Sequence, residues 1–383
     1  MNSAQGPVLF CGAWDEGPGY PRTTSLRASL QAVGIDVREC RVAALGAQKQ
    51  RLLRQPWRWP GLLWTQWRQR RQLREALREA LLRERPRWVV VPYPGHRVVR
   101  DIAARCEVPV VLDLFLSAYD TVVEDRRLVA PGSLAAAWLQ QLDTKACAAA
   151  DLVLVDTPEN AAYVATLTGL PAERFGWLPV SDPEAPAVPA PWPAVAGGRL
   201  QVLFFGTGVP LHGLRTLVDA VAAAPDVQLT LVGGTAPERA QAQCLLGSRL
   251  TLEPTFVDRV RLQELLAQSQ LVAGVFGDSG KAQRVVPWKL VHALAAGRLV
   301  VTADTPAVNG WLDGSGAVFT APAGDAAALA ALLRRLAADP SLVHAAAAAA
   351  RPAYDRHFAI ARLGERWQGL QQQLDQPPMA VHA

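Results

Sequence analysis

Cysteine is scarce. Cys11, Cys40, Cys106, Cys147 and Cys244 are spread singly over 383 residues, with no C-x-x-C pair among them. Structural zinc and dithiol chemistry need clustered thiols, so both are excluded, and the usage fits a reducing cytoplasm. No window approaches the roughly eighteen uninterrupted apolar residues of a membrane span. The opening M-N-S-A-Q-G-P runs straight into a short apolar stretch. It lacks the basic lead and apolar core of a secretory signal, so none is expected. G-x-G-x-x-G is missing as well, and with it the dinucleotide fingerprint. Acid is short in one place: from Lys49 to Trp88 eleven arginines and one lysine face Glu75, Glu79 and Glu84. That segment carries +9, and because the whole chain is +5, the remainder carries −4.

What the chain has is length and alternation. A single core stops growing at about 250 to 300 residues, so a chain of this length is expected to hold two domains. Apolar strands alternate with helical periods from Pro7 to Val180 and again from Leu200 onward. That order predicts an α/β chain of two Rossmann-like, doubly wound domains. Between them, residues 181 to 198 hold five prolines and close on two glycines, the composition of a stiff, extended connector.

Residues 272 to 309 are the most informative stretch. The pattern predicts a strand over Leu271 to Phe276, a loop over Gly277 to Val286, a helix opened by Pro287 and stopped at Gly297, and a strand over Leu299 to Thr302. Proline suits a helix's first turn and glycine its end. Lys281, Arg284 and Lys289 crowd that helix N-terminus, whose free N–H groups attract anions. A phosphate pocket at the carboxyl edge of a parallel sheet is one reading, and a solvated basic loop is the other.

The first domain offers two polar groups. Asp15, Tyr20 and Arg22 follow its first strand, and Tyr93, His96, Asp113, Ser117, Tyr119, Asp120 and Asp125 lie at the ends of, and in the loops after, the strands Arg87 to Tyr93 and Val108 to Leu114. Between these groups lies a predicted helix from Pro60 to Pro86. Its Leu73, Ala76, Leu77 and Ala80 side turns inward, and Trp64, Trp67, Arg71, Arg74 and Arg78 share the other face. Tryptophan with arginine suits an anionic membrane surface. A plain solvated face and a nucleic-acid surface are the alternatives, and no nucleic-acid module accompanies it.

Over nearly its whole length the chain resembles the GT-B glycosyltransferases, family 4 type. The resemblance rests on V-L-F-F-G-T-G-V-P-L-H-G-L at 202 to 214, L-T-L-V-G-G at 229 to 234, F-G-D-S-G-K-A-Q-R-V-V-P-W-K-L-V-H-A-L-A-A-G-R-L-V-V-T at 276 to 302, and P-A-G-D at 322 to 325. It implies a retaining hexosyltransferase using a nucleotide-diphosphate sugar, with two Rossmann-like domains facing a cleft. The expected domains are 1–180 on the acceptor side, the linker 181–198, the donor domain 199–350, and 351–383 returning to the first domain. Lys281, Arg284 and Lys289 would grip the diphosphate, with Gly206, Thr207, His212 and Gly213 beside it. Val285 and Val286 would meet the sugar or phosphate, and Gly233, Phe256 and His292 the nucleoside. His96 and Asp113 would serve the reaction from the facing domain, and Asp15, Tyr20, Arg22, Tyr119 and Asp120 the acceptor. No cofactor and no metal are expected.

The chain departs from the family where G-R and K-G usually hold the diphosphate, with Gly206-Thr207 and His212-Gly213 instead. Arg284 and His292 stand where the family has two glutamates. Three functions follow as alternatives. The leading one is a cytoplasmic glycosyltransferase of glycan biosynthesis, peripheral to the inner membrane face, with a lipid-linked or membrane-proximal acceptor. The others are a catalytically degenerate scaffold and a nucleic-acid binder acting through the basic segment.

Overall fold

The structure, a computed structural model, describes residues 6–14, 21–42, 59–193 and 198–374, without the side chains of 59–66. It divides into two compact units. The first comprises Met1–Tyr119, Val129–Pro179 and Leu363–Ala383, and the second Asp120–Leu128 and Val180–Arg362.

The first unit is built on a six-stranded parallel sheet with strands β1 (Val8–Gly12), β2 (Val37–Arg41), β3 (Trp88–Val91), β4 (Val110–Asp113), β5 (Leu152–Val155) and β6 (Phe175–Trp177). The order is β2-β1-β3-β4-β5-β6. Its inner strands are apolar without a break because both faces are covered. Leu9, Val89, Leu112 and Val153 pack on one side, while Val8, Phe10, Val90, Val111 and Leu154 pack on the other. Leu73 and Leu77 of the helix Trp59–Arg83 join the first face, as their spacing requires, and leave Trp67 more than half exposed. The last described helix, Ile360–Leu374, closes the second face: Trp367 stacks on Trp88 at 6.1 Å between ring centroids and its Nε1 donates to Ser29 Oγ at 2.9 Å.

The second unit repeats the plan with β7 (Leu200–Gly206), β8 (Val227–Gly233), β9 (Leu250–Leu252), β10 (Leu271–Ala273), β11 (Leu299–Ala303) and β12 (Val318–Ala321). All of its neighbours are parallel, in the order β12-β11-β10-β7-β8-β9. The order reverses between β7 and β10. In open α/β sheets the crevice beyond the strand ends at such a reversal is where ligands bind.

Two expectations about local structure change. β10 stops at Ala273, and the predicted loop holds a short helix, Gly280–Arg284, opened by Ser279, whose hydroxyl accepts from Ala282 N–H at 3.3 Å. Pro287 is the extended cap residue of helix Trp288–Ala295, one position ahead of its first turn. The proline-rich connector is strapped to the second unit along its length. Asp182 is buried beneath Arg259 (3.0 Å) and accepts at its carbonyl from Tyr354 Oη at 3.1 Å, Arg351 donates to Pro186 O at 2.6 Å, and Arg298 donates to Pro191 O at 2.9 Å. Proline cannot supply N–H groups to a sheet, so its carbonyls are met by guanidinium groups instead.

Candidate functional site

The loops after β7 and β10 meet at the sheet reversal. Backbone approach there is close enough to dictate glycine. Gly213 sits at φ +57°, and a Cβ on it would fall 2.5 Å from the carbonyl carbon of Phe276. Gly233 sits at φ +87°, and a Cβ there would stand 1.9 Å from Gly206 O. Gly233→Ala is therefore expected to destabilise the second unit by at least about 2 kcal/mol, from the left-handed conformation and the clash together. Chemical denaturation checks it; an unchanged midpoint would refute the close packing of β7 on β8.

Into this turn projects Lys289, from the first turn of helix Trp288–Ala295. The residue is 6 % exposed, its Nζ stands 3.9 Å from the centroid of Phe204, and that Nζ has no hydrogen-bond partner. A Cβ on Gly206 would lie 3.3 Å from that Nζ and 2.8 Å from His212 Nδ1, so glycine leaves the space between them open. Burial holds the Lys289 ammonium far below its ordinary pKa. Burial, and then the Lys289 charge, push His212 down to about 2, so its ring is neutral, and its Nδ1 is another buried polar atom with no partner. A buried ammonium left unpaired is costly unless something charged fills the gap.

Lys281 and Arg284 are placed differently from the expectation of three free cations. Asp120, expected on the acceptor side, belongs to the second unit. It pairs with Lys281 Nζ at 3.3 Å and with Arg284 Nη2 at 2.6 Å. Thr121 Oγ1 accepts from Lys281 at 2.8 Å, and Glu124 lies 3.4 Å from Arg284. A π-helical turn, Asp120–Asp125, presents these groups on one side. Two of the three cations are thus already matched, and Lys289 is the one held without a counter-charge.

His292, on the same helix as Lys289, is buried between Trp288 (4.1 Å between centroids) and Phe205 (6.2 Å). Burial, against the pull of Asp182, lowers it to about 4, so it too is neutral at pH 7. Asp182 Oδ2 lies 3.7 Å from Nδ1, which favours the proton there and leaves the unpartnered Nε2 as an acceptor. Val285 and Val286 are half-buried beside the helix start, Thr207 is exposed in the β7 loop, and Phe256 is 66 % exposed after β9.

In the first unit the expected pairing of roles gives way to a structural one. Arg22 lies in the first turn of helix Pro21–Ala32, and its Nε and Nη2 reach Asp113 Oδ1 at 2.9 and 2.8 Å. It also donates to the carbonyls of Leu178 and Val155. Both side chains are buried, so Arg22 and Asp113 tie the first helix to β4 rather than stand open to an acceptor. His96 is buried with Nε2 3.3 Å from Asp143, a residue the sequence gave no reason to single out. Asp143 also accepts from Ser117 Oγ (2.7 Å) and from the backbone N–H of Ala118 and Tyr119, and these partners, with His96, outweigh its burial and hold its carboxyl below the usual range. Asp15 and Tyr20 lie outside the described residues, as does the side chain of Trp64. On the basic helix, Arg71 pairs with Glu75, Arg74 pairs with Asp101, and Arg78 is exposed. Among the described residues no cluster of acidic, histidine or cysteine side chains could hold a metal, and no helix is long and apolar enough to cross a membrane.

Residues 199–339 match the family model described as glycosyl transferases group 1. Sucrose-phosphate synthase from Thermosynechococcus elongatus has a similar structure, at TM-score 0.68 and 16 % identity over 97 % of this chain and 99 % of that one. HepE of Anabaena in complex with UDP aligns at TM-score 0.64 and 17 % identity over 96 % and 99 %. Residues 199–339 of the second unit are thus similar to group 1 glycosyl transferases, and the chain has the GT-B fold. A glycosyltransferase of Rickettsia africae, at TM-score 0.62 and 11 % identity over 98 % and 100 %, shares the fold as well. A search among curated proteins gives no match. The second unit carries its unpartnered ammonium in the first turn of helix Trp288–Ala295, at the strand reversal of its own sheet.

Proposed function

We propose that the protein is a retaining glycosyltransferase that moves a hexose from a nucleoside-diphosphate sugar to a lipid-linked or membrane-proximal glycan. The observation that carries the donor half is Lys289, buried and unpaired beside Gly206 and His212. A diphosphate is an anion of the right charge for that gap, and helix N-termini reinforce it. In the reaction the anomeric C–O bond to the diphosphate breaks and a bond to the acceptor oxygen forms on the same face. The acceptor's proton passes to the departing phosphate oxygen. No carboxylate base is then needed; what the protein supplies is charge stabilisation on the leaving group, from Lys289 directly and from Lys281 and Arg284 through their cluster with Asp120. The neutral Nε2 of His292 is suited to accept from a ribose hydroxyl, the task a glutamate would otherwise perform.

HepE is seen with UDP and with UDP-glucose, which supports UDP as the first nucleotide to try. UDP at a hundred times its dissociation constant is expected to add about 2.7 kcal/mol to stability. A melting curve that no nucleoside diphosphate moves would overturn the donor reading and favour a scaffold with a degenerate pocket. The acceptor half is supported by the tryptophan and arginine face of the helix Trp59–Arg83, with Trp67 and Arg78 exposed.

A further inference from the structure

A second pocket lies within the first unit; it shares no residue with the donor loops, and His96 is among its lining residues. It has a volume of about 600 Å³, in the usual size range for small-ligand sites. Three elements wall it: helix Trp59–Arg83 through Arg70, the turn after β3 through Arg97 and Arg100, and helix Leu134–Ala148 through Trp138 and Lys145. Four of its lining residues are cations, and none of the described ones is acidic. Asp101, the acid next to Arg100, is engaged by Arg74 at 2.6 Å and by Arg105 at 2.5 Å. Four like charges around one hollow repel each other in the absence of an anion.

The walls are held in place. Arg70 Nη2 donates to Arg97 O at 3.3 Å, and the Arg97 guanidinium lies 5.9 Å from the Trp138 ring centroid. Arg100 and Lys145 are exposed and project freely, without an ion pair among the described residues. The rim is apolar where solubility alone would want polar groups: Leu134 is 92 % and Trp138 55 % exposed. The pocket also adjoins a helix that exposes Trp67, Arg68 and Arg71, so its charge and its apolar rim continue a basic, aromatic surface. Cations with exposed leucine and tryptophan suit a phosphate headgroup that carries an acyl or prenyl chain.

We propose that this pocket binds the phosphate-bearing headgroup of an anionic amphiphile, with the Arg100 and Lys145 charges on the phosphate and Leu134 and Trp138 against the first carbons of its chain. The assignment rests on the glycosyltransferase reading only in treating that amphiphile as the acceptor's carrier; binding itself needs no donor. The test is calorimetric titration of the full chain with dihexanoyl phosphatidate, dihexanoyl phosphatidylcholine, inorganic pyrophosphate and a single-stranded oligonucleotide. Phosphatidate is expected to bind and phosphatidylcholine not. The double variant R100Q/K145Q should bind phosphatidate about thirtyfold more weakly, since each basic side chain facing anionic lipid is worth of order fivefold. R334Q/R335Q, which removes the same charge from the second unit, should bind as the parent does. Equal losses in the two variants would reduce the effect to net charge and overturn the site. Pyrophosphate binding as tightly as phosphatidate would overturn the lipid assignment, and an oligonucleotide displacing phosphatidate would replace it with nucleic acid. The UDP melting shift should be the same in R100Q/K145Q as in the parent, which reports on folding and keeps failure of this site distinct from failure of the donor reading.

Discussion

Lys289→Met is expected to make the nucleotide-free protein more stable and to abolish its response to UDP. The wild-type ammonium is buried with no partner and sits against an aromatic ring. Replacing an uncompensated buried charge with an apolar side chain of similar length typically gains on the order of 1 to 3 kcal/mol. For a unit of this size that is a rise of roughly 2 °C or more in melting temperature. The same exchange removes the cation meant for the leaving group, and transfer activity should fall by about 10² to 10³. The pH dependence has a definite sign. The folded pKa of Lys289 lies below the unfolded value of about 10.4, so the unfolded chain binds more protons between the two. The cost of the buried ammonium is fully present below the folded pKa and fades as pH rises toward the unfolded one, so the advantage of the methionine variant should shrink across that interval. By the same linkage, UDP binding should take up a proton and weaken as pH rises. Denaturant midpoints of both proteins over a pH series, with and without UDP, decide the matter. A wild type that is the more stable of the two without nucleotide would refute the account.

Arg22→Ala should cost the first unit about 3 to 5 kcal/mol, because it strands the buried Asp113 carboxylate and takes donors from the carbonyls of Leu178 and Val155. The double variant R22M/D113L removes both charges and is expected to recover much of that loss. Urea unfolding followed by tryptophan fluorescence measures both. If Arg22→Ala fell within the ordinary range of a surface substitution, about 0.5 kcal/mol, the tie between the first helix and β4 would be of no consequence and the residue would be free for an acceptor after all.

Much of the architecture is legible in the sequence. Strands buried on both faces read as unbroken apolar runs, and turn residues mark their ends, so both sheets are visible before any coordinates. Cap residues also announce themselves: Thr157 accepts from Asn160 N–H, as its place before Pro158 suggests. Partnership is what one-dimensional reading misses. Lys281, Arg284 and Lys289 look equivalent within nine residues of chain, yet Asp120 and Glu124, more than 150 residues away, neutralise the first two and leave the third alone. The π-helical turn that brings them there has no sequence periodicity to announce it. Arg22 is legible in part, since Pro21 before it is a helix-opening signal that puts the arginine in the first turn of its helix. His212 and His292 are recognisable as residues of the donor loops, but their neutrality follows from burial, which only the fold supplies.

Neither unit is a single length of chain. The second borrows nine residues, Asp120–Leu128, from within the first, and the first is completed by the helix that carries Leu363, Trp367 and Leu370. A ribosome delivers the chain from its amino end, so the half made first must wait for nearly the whole message before Trp367 can reach Trp88. Until then that side of its sheet is covered only in part, by Leu26 and Leu30 of the first helix, and Trp88 waits for its stacking partner.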